Sequence, residues 1–171
     1  RTLFVDPTPM QKRVYHLVRE VQSMVLQSLK PDAIFKDIYL AAKAKVQEID
    51  PNMVSKFVKN VGFVQGLEFK DPGLVLNEKC ERKVVAGMVF CVSVGFADTG
   101  QDPWAAWLAD TTIVRAEGDC DELTSPCTKA DRDVMFEIDE NMEAPDLAAP
   151  PPPPAPPPKE PKAPAAKAPA G

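Results

Sequence analysis

From Met10 onward the apolar positions Val14, Leu17, Val18, Val21, Val25 and Leu29 recur at three- and four-residue spacing, which puts them on one stripe of a helix. Thr8 offers an N-cap, Pro9 suits the first helical position and Gln11 completes a capping-box pattern, so the helix is predicted to begin there and to end before Pro31. Thr2 to Val5 reads as a short strand closed by Asp6 and Pro7. A second helix is predicted from about Lys36 to Ile49, with Ile38, Ala41, Ala42, Val46 and Ile49 turned inward. A short third one is expected after Asp50 and Pro51, carrying Met53, Val54, Phe57 and Val58.

The pattern then changes. Asp71-Pro72-Gly73 and Asn77-Glu78-Lys79 are turn signals, and Met88 to Phe96 and Ala105 to Arg115 are rich in β-formers. Strand alternation places Val89, Cys91 and Ser93 on one face, opposite Met88, Phe90, Val92 and Val94. In the next strand Ala105, Trp107, Ala109 and Thr111 share a face, opposite Ala106, Leu108, Asp110 and Thr112. Helices followed by strands without regular alternation predict an α+β fold, with helices packed on one side of a mostly antiparallel sheet. Asp110, set among apolar and hydroxyl residues, reads as a structural hydrogen-bonding partner.

Composition divides the chain. Eleven of its 19 prolines lie from Pro150 onward, which sets a body of ordinary globular composition, to Ala149, against a tail with little to bury; the domain within that body is expected to end at residue 140 on the extent of the resemblance given below. An acidic and then Pro/Ala/Lys-rich disordered linker is expected over 141–171. Pro154 to Lys159 fits a P-x-x-P-x-K docking pattern as well as a semi-rigid spacer. No apolar run approaches the roughly 18 residues of a membrane span, so no membrane partner is expected. The net charge is -5, and Asp119 to Glu143 holds nine acids against Lys129 and Arg132, which argues against direct nucleic-acid binding. Cys80, Cys91, Cys120 and Cys127 fit neither a zinc knuckle nor a small disulfide framework and read as free thiols. His16, the single histidine, falls on the polar face of the first helix. It leaves no serine or cysteine hydrolase constellation. The first residue is Arg1, and the chain is expected to be a fragment.

Gly62-Phe63-Val64-Gln65-Gly66-Leu67-Glu68-Phe69, Gly87-Met88-Val89-Phe90-Cys91-Val92-Ser93-Val94-Gly95 and Leu108-Ala109-Asp110-Thr111 resemble segments of the pita-bread metallopeptidases, a family that includes methionine aminopeptidase, aminopeptidase P and creatinase. With Arg1 to Thr8, Leu74 to Asn77 and Leu123-Thr124 added, the chain is similar, over about Arg1 to Glu140, to the peptidase-like N-terminal domain in large subunits of the FACT histone chaperones. The resemblance implies the C-terminal part of a pita-bread domain, with a curved sheet.

It also implies what has been lost. The family's metal-binding histidine falls on Phe63, its substrate-steering histidine on Lys70, and its two downstream glutamate ligands on Ser93 and Ala109. The remaining aspartate ligands would precede Arg1. A two-metal hydrolase needs anionic oxygens and imidazole to hold its ions and activate water. The expectation is therefore a pseudo-peptidase with no catalytic residue, no metal and no cofactor, whose emptied groove, with Trp107 as a candidate wall, serves protein interaction. What the FACT resemblance implies is a chaperone of nucleus and chromosome that acts on core histones and nucleosomes in transcription, replication and DNA repair. It would pair with the smaller FACT subunit through regions outside this segment. The alternative is a metal-dependent aminopeptidase or dipeptidase of the same fold with unconventional ligands.

Overall fold

Thr8 caps the first helix as its sequence dictates. In the computed structural model, which describes residues 1–67, 69–98 and 103–138, its hydroxyl accepts the Gln11 N–H at 3.3 Å and Gln11 Oε1 accepts the Thr8 N–H at 2.8 Å. Helix α1 (Pro9–Ser28) follows and buries Val14, Leu17, Val18, Val21 and Val25 together with Tyr15 and Gln22. Helix α2 (Phe35–Ile49) buries Phe35, Ile38, Tyr39, Ala42 and Val46. Ala41 and Ile49, expected inward, are exposed. The two aromatic residues set the rotation of this helix: Phe35 meets Phe90 edge-on at 5.4 Å, and Tyr39 donates its hydroxyl to the Val58 carbonyl at 3.1 Å. The short third helix is a 3-10 segment (Pro51–Lys56), started by Asp50, whose side chain accepts the Asn52 N–H.

Strands β2 (Gly62–Gln65), β3 (Val89–Asp98), β4 (Trp104–Ile113) and β5 (Asp121–Glu122) form an antiparallel sheet in that order. Gly62 is required where β2 meets β3. Its φ of +151° disfavours any side chain, and a Cβ there would lie 2.5 Å from the Cys91 carbonyl oxygen. Strand β1 (Phe4–Val5) pairs in parallel with β6 (Met135–Phe136), which follows the single turn α3 (Asp131–Val134). Thr2, expected in the first strand, bonds to β4 instead: its N–H reaches the Trp107 carbonyl at 3.0 Å.

Helix α1 packs across β3 and β4 and against α2. The core lies between, built from the helical stripe and from Phe90, Val92, Val94, Phe96, Ala106 and Leu108 on the alternate positions that face it. Each large apolar side chain removed from water there contributes about 1.5–3 kcal/mol. The opposite sheet face, carrying Cys91, Ser93, Trp107 and Ala109, is left uncovered by these helices. Arg1–Ile138 forms one compact unit. The expected boundary at 140, the linker over 141–171 and its proline motif lie outside the described residues. No helix among the described residues is long and apolar enough to cross a membrane.

Candidate functional site

The ladder brings the residues singled out by sequence onto one face. Phe63 stands opposite Cys91, and Cys91 opposite Thr111. The next row pairs Ser93 with Ala109, and the one after it pairs Gly95 with Trp107. Because directly opposed residues share a face, Phe63, Ser93, Ala109 and Trp107 lie together on the side away from α1.

Lys70 joins them from the turn after β2. Its ammonium lies 5.1 Å from the centroid of the Phe63 ring, a cation–π contact. Phe69 closes on the same ring edge-on at 5.5 Å, leaving Phe63 only 9% exposed. At the other end of the face the indole N–H of Trp107 donates to the Ser93 hydroxyl. The Trp107 ring rests on Gly95, where a Cβ would come within 2.5 Å of two ring carbons. Trp107 remains 38% exposed and Phe69 is mostly exposed. Phe69 and Gly95 were not singled out by sequence. The glycine opposite a tryptophan in two alternating strands was the available signal for the second; the turn that folds Phe69 back has no local signature.

These groups do not fit a pair of metal ions. The positions hold a ring, a hydroxyl, a methyl group and an ammonium, and none of these is an anionic oxygen or an imidazole. Lys70 adds positive charge where a divalent cation would need negative. Among the described residues no three His, Cys, Asp or Glu side chains are grouped to hold a metal. Cys91, between Phe63 and Thr111, is no ready nucleophile. Burial pushes its thiol up, the Asp110 charge pushes it further, and Lys70 only partly opposes them. His16 lies on the solvent side of α1, beyond the other sheet face, with Nε2 2.9 Å from Asp131.

Asp110 points the other way, into the body, and is 2% exposed. It pairs with Arg1 at 2.8 Å and with Lys129 at 2.9 Å, and it accepts from Thr124 at 2.7 Å and Gln22 at 2.8 Å. Burial alone would raise this carboxyl. The hydrogen bonds from Arg1, Thr124 and Lys129 outweigh it and hold the group below the ordinary carboxylate range. Asp110 is thus a fixed anion that ties β4 to α1, to the chain start and to the segment around Lys129. Among the described residues no buried side-chain polar atom lacks a partner.

Comparison with known proteins agrees with this geometry. Residues 1–117 match the model of metallopeptidase family M24. FACT complex subunit SPT16 of Zea mays is 35% identical over 151 residues, covering 84% of this chain and 14% of that protein. The Dictyostelium discoideum SPT16 is 34% identical, covering 80% of this chain and 13% of its own length. The solved N-terminal domain of SPT16 from Cicer arietinum superposes with a TM-score of 0.72 at 35% identity, over 78% of this chain and 33% of that one. That from Eremothecium gossypii gives 0.74 at 33% identity, over 81% and 32%. The X-Pro aminopeptidase of Thermotoga maritima shares the fold, with a TM-score of 0.67 at 20% identity, over 80% and 36%. The chain thus spans about one-seventh of the first-named relatives and about a third of the solved SPT16 domains.

Proposed function

We propose that this chain, which belongs to metallopeptidase family M24, is a non-catalytic interaction module of a FACT-type histone chaperone. The observation that carries the reading is the Phe63, Ser93, Ala109 and Lys70 set: a peptidase face with its metal-holding chemistry replaced, in a chain 35% identical to an SPT16 subunit. Residues 1–140 are taken as part of the peptidase-like domain and 141–171 as a linker.

The face sets Cys91, Ser93 and Ala109 between aromatic groups at Phe63 and Trp107. In this reading it holds a protein segment without cleaving it. The partners are core histones and nucleosomes and the smaller FACT subunit, and the setting is the nucleus and the chromosome. A chain of net charge -5 supports this assignment, because acidic surfaces compete with DNA for basic histones.

Histone pull-down and peptidase assay on the full-length chain test it together. Retention of histones, with no release of N-terminal residues or of Xaa-Pro dipeptide products in Mn or Co buffer, is the expected result. Metal-dependent turnover by the purified chain would instead establish the aminopeptidase alternative. A failure to retain histones, with no turnover, would remove the chaperone reading for this protein.

A further inference from the structure

Proline follows a hydroxyl residue twice in this sequence, at Thr8-Pro9 and at Ser125-Pro126. Thr8 is committed to the cap of α1, where its oxygen accepts the Gln11 N–H. Ser125 is not committed. It stands exposed in the turn over residues 123–127, and its hydroxyl has no hydrogen bond among the described residues. The threonines on either side are engaged: Thr124 donates to Asp110 at 2.7 Å and Thr128 to Asp133 at 2.8 Å. Of the three hydroxyls in this stretch, Ser125 alone is open to an enzyme. The turn itself is closed by two backbone bonds, from the Ser125 N–H to the Glu122 carbonyl at 3.3 Å and from the Cys127 N–H to the Thr124 carbonyl at 2.9 Å, a small set that opens locally at less cost than the sheet.

The anchorage of the turn gives the site a consequence. The Arg1 guanidinium donates to the Cys127 carbonyl at 2.8 Å and to the Thr128 carbonyl at 3.3 Å, and it pairs with the buried Asp110 at 2.8 Å. Lys129 lies between Asp110, at 2.9 Å, and Glu122, at 2.7 Å. Two cations and two carboxylates therefore balance, and neither cation is spare. Arg115 and Arg132, nearby in sequence, are paired with Asp121 and Asp133. A phosphate on Ser125 would add roughly two negative charges at neutral pH. It would compete with Asp110 and Glu122 for Arg1 and Lys129, and a buried carboxylate that loses its counter-charge no longer holds its surroundings together.

We propose that Ser125 is a phosphorylation site for a proline-directed protein kinase, and that the phosphate loosens the segment around Lys129 from β4. Pro126 brings no N–H to the position after the serine, and a kinase pocket without an acceptor there selects for it. In the reaction the Ser125 Oγ bonds to the γ-phosphorus of ATP held by the kinase. The bond from that phosphorus to the β,γ-bridging oxygen breaks and ADP leaves, while the hydroxyl proton passes to the kinase's catalytic aspartate.

The test uses the full-length chain, incubated with ATP and, in separate runs, a cyclin-dependent and a mitogen-activated kinase. Peptide mapping by mass spectrometry locates the phosphate, and hydrogen exchange is then followed over residues 119–131. Expected are phosphate on Ser125 with at least one kinase and exchange about ten-fold faster or more over 123–129 in the modified chain. Ser125→Ala, treated alongside, should take no phosphate in this segment and keep its slow exchange. A synthetic peptide of residues 119–131 serves as the unfolded reference. Modification of that peptide but not of the folded chain would show that the turn shields the hydroxyl, and would overturn the proposal. So would phosphate on neither, phosphate on Thr124 or Thr128 instead, or phosphate on Ser125 with exchange unchanged or slowed.

Discussion

The guanidinium of Arg1 reaches across the edge of β4 to the buried carboxylate of Asp110, 2.8 Å away, and also donates to the Ala109 carbonyl at 2.9 Å and the Cys127 carbonyl at 2.8 Å. Asp110 is thus the acid paired with Arg1, and it shares Lys129 with Glu122, which lies 2.7 Å from the ammonium. Asp110→Ala is expected to cost about 3–5 kcal/mol, the usual penalty for orphaning a buried charged partner. Urea unfolding monitored by circular dichroism reads this directly. A loss below 1 kcal/mol would show that Arg1 finds another partner and that Glu122 suffices for Lys129.

The same carboxylate predicts how the fold responds to acid. Its pKa is depressed in the folded state, so its contribution is fully present above the unfolded value of about 3.9 and is lost as pH falls through the folded value. Thermal melts between pH 7 and pH 2.5 should steepen in their decline below about pH 4. In Asp110→Asn that part of the decline should disappear, and an unchanged profile would assign the acid sensitivity to other carboxylates.

Ser93 and Ala109 stand directly opposite in the ladder, so Ser93→Glu with Ala109→Glu places two carboxylates face to face. Without metal the double variant should be less stable by about 1 kcal/mol from like-charge repulsion across the strands. Added Mn²⁺ should restore its melting temperature while leaving the wild-type chain unmoved. A wild-type melting temperature that rises with Mn²⁺ would point to ligands other than these positions.

Gly95 is the platform on which Trp107 lies, and Gly95→Ala pushes a methyl group into that ring. Overpacking of this kind costs about 1–3 kcal/mol. In a Trp104→Phe background, so that one indole reports, the emission of Trp107 should shift to the red as the ring leaves the sheet and loses its bond to Ser93. Unshifted emission would mean that the strand, rather than the ring, gives way.

Most of the fold was legible because local chemistry and global packing agree. The Thr8 cap, the α1 stripe and the alternation through β3 and β4 each required only neighbouring residues to read. The rotation of α2 was not legible, since Ala41 and Ile49 fit a helical stripe as well as Phe35 and Tyr39 do. Only the aromatic partners Phe90 and Phe57, from distant segments, decide between them. The candidate face divides similarly. Alternation put Ser93, Trp107 and Ala109 on predictable sides. The arrival of Lys70 and Phe69 over Phe63 depends on how the turn after β2 folds back, which no spacing encodes. The convergence of Arg1 and Lys129 on Asp110 is a contact between remote parts of the chain and left no trace in either neighbourhood.

The parallel pairing of β1 with β6 sets Phe4 beside Met135, and Asp6 accepts the N–H of Ile138, 132 positions away in sequence. The first and last strands of the described unit thus share one seam. Unravelling from either flank would have to break these parallel pairs and, on one side, the Arg1 and Thr2 contacts to β4 as well, before it reached the helices.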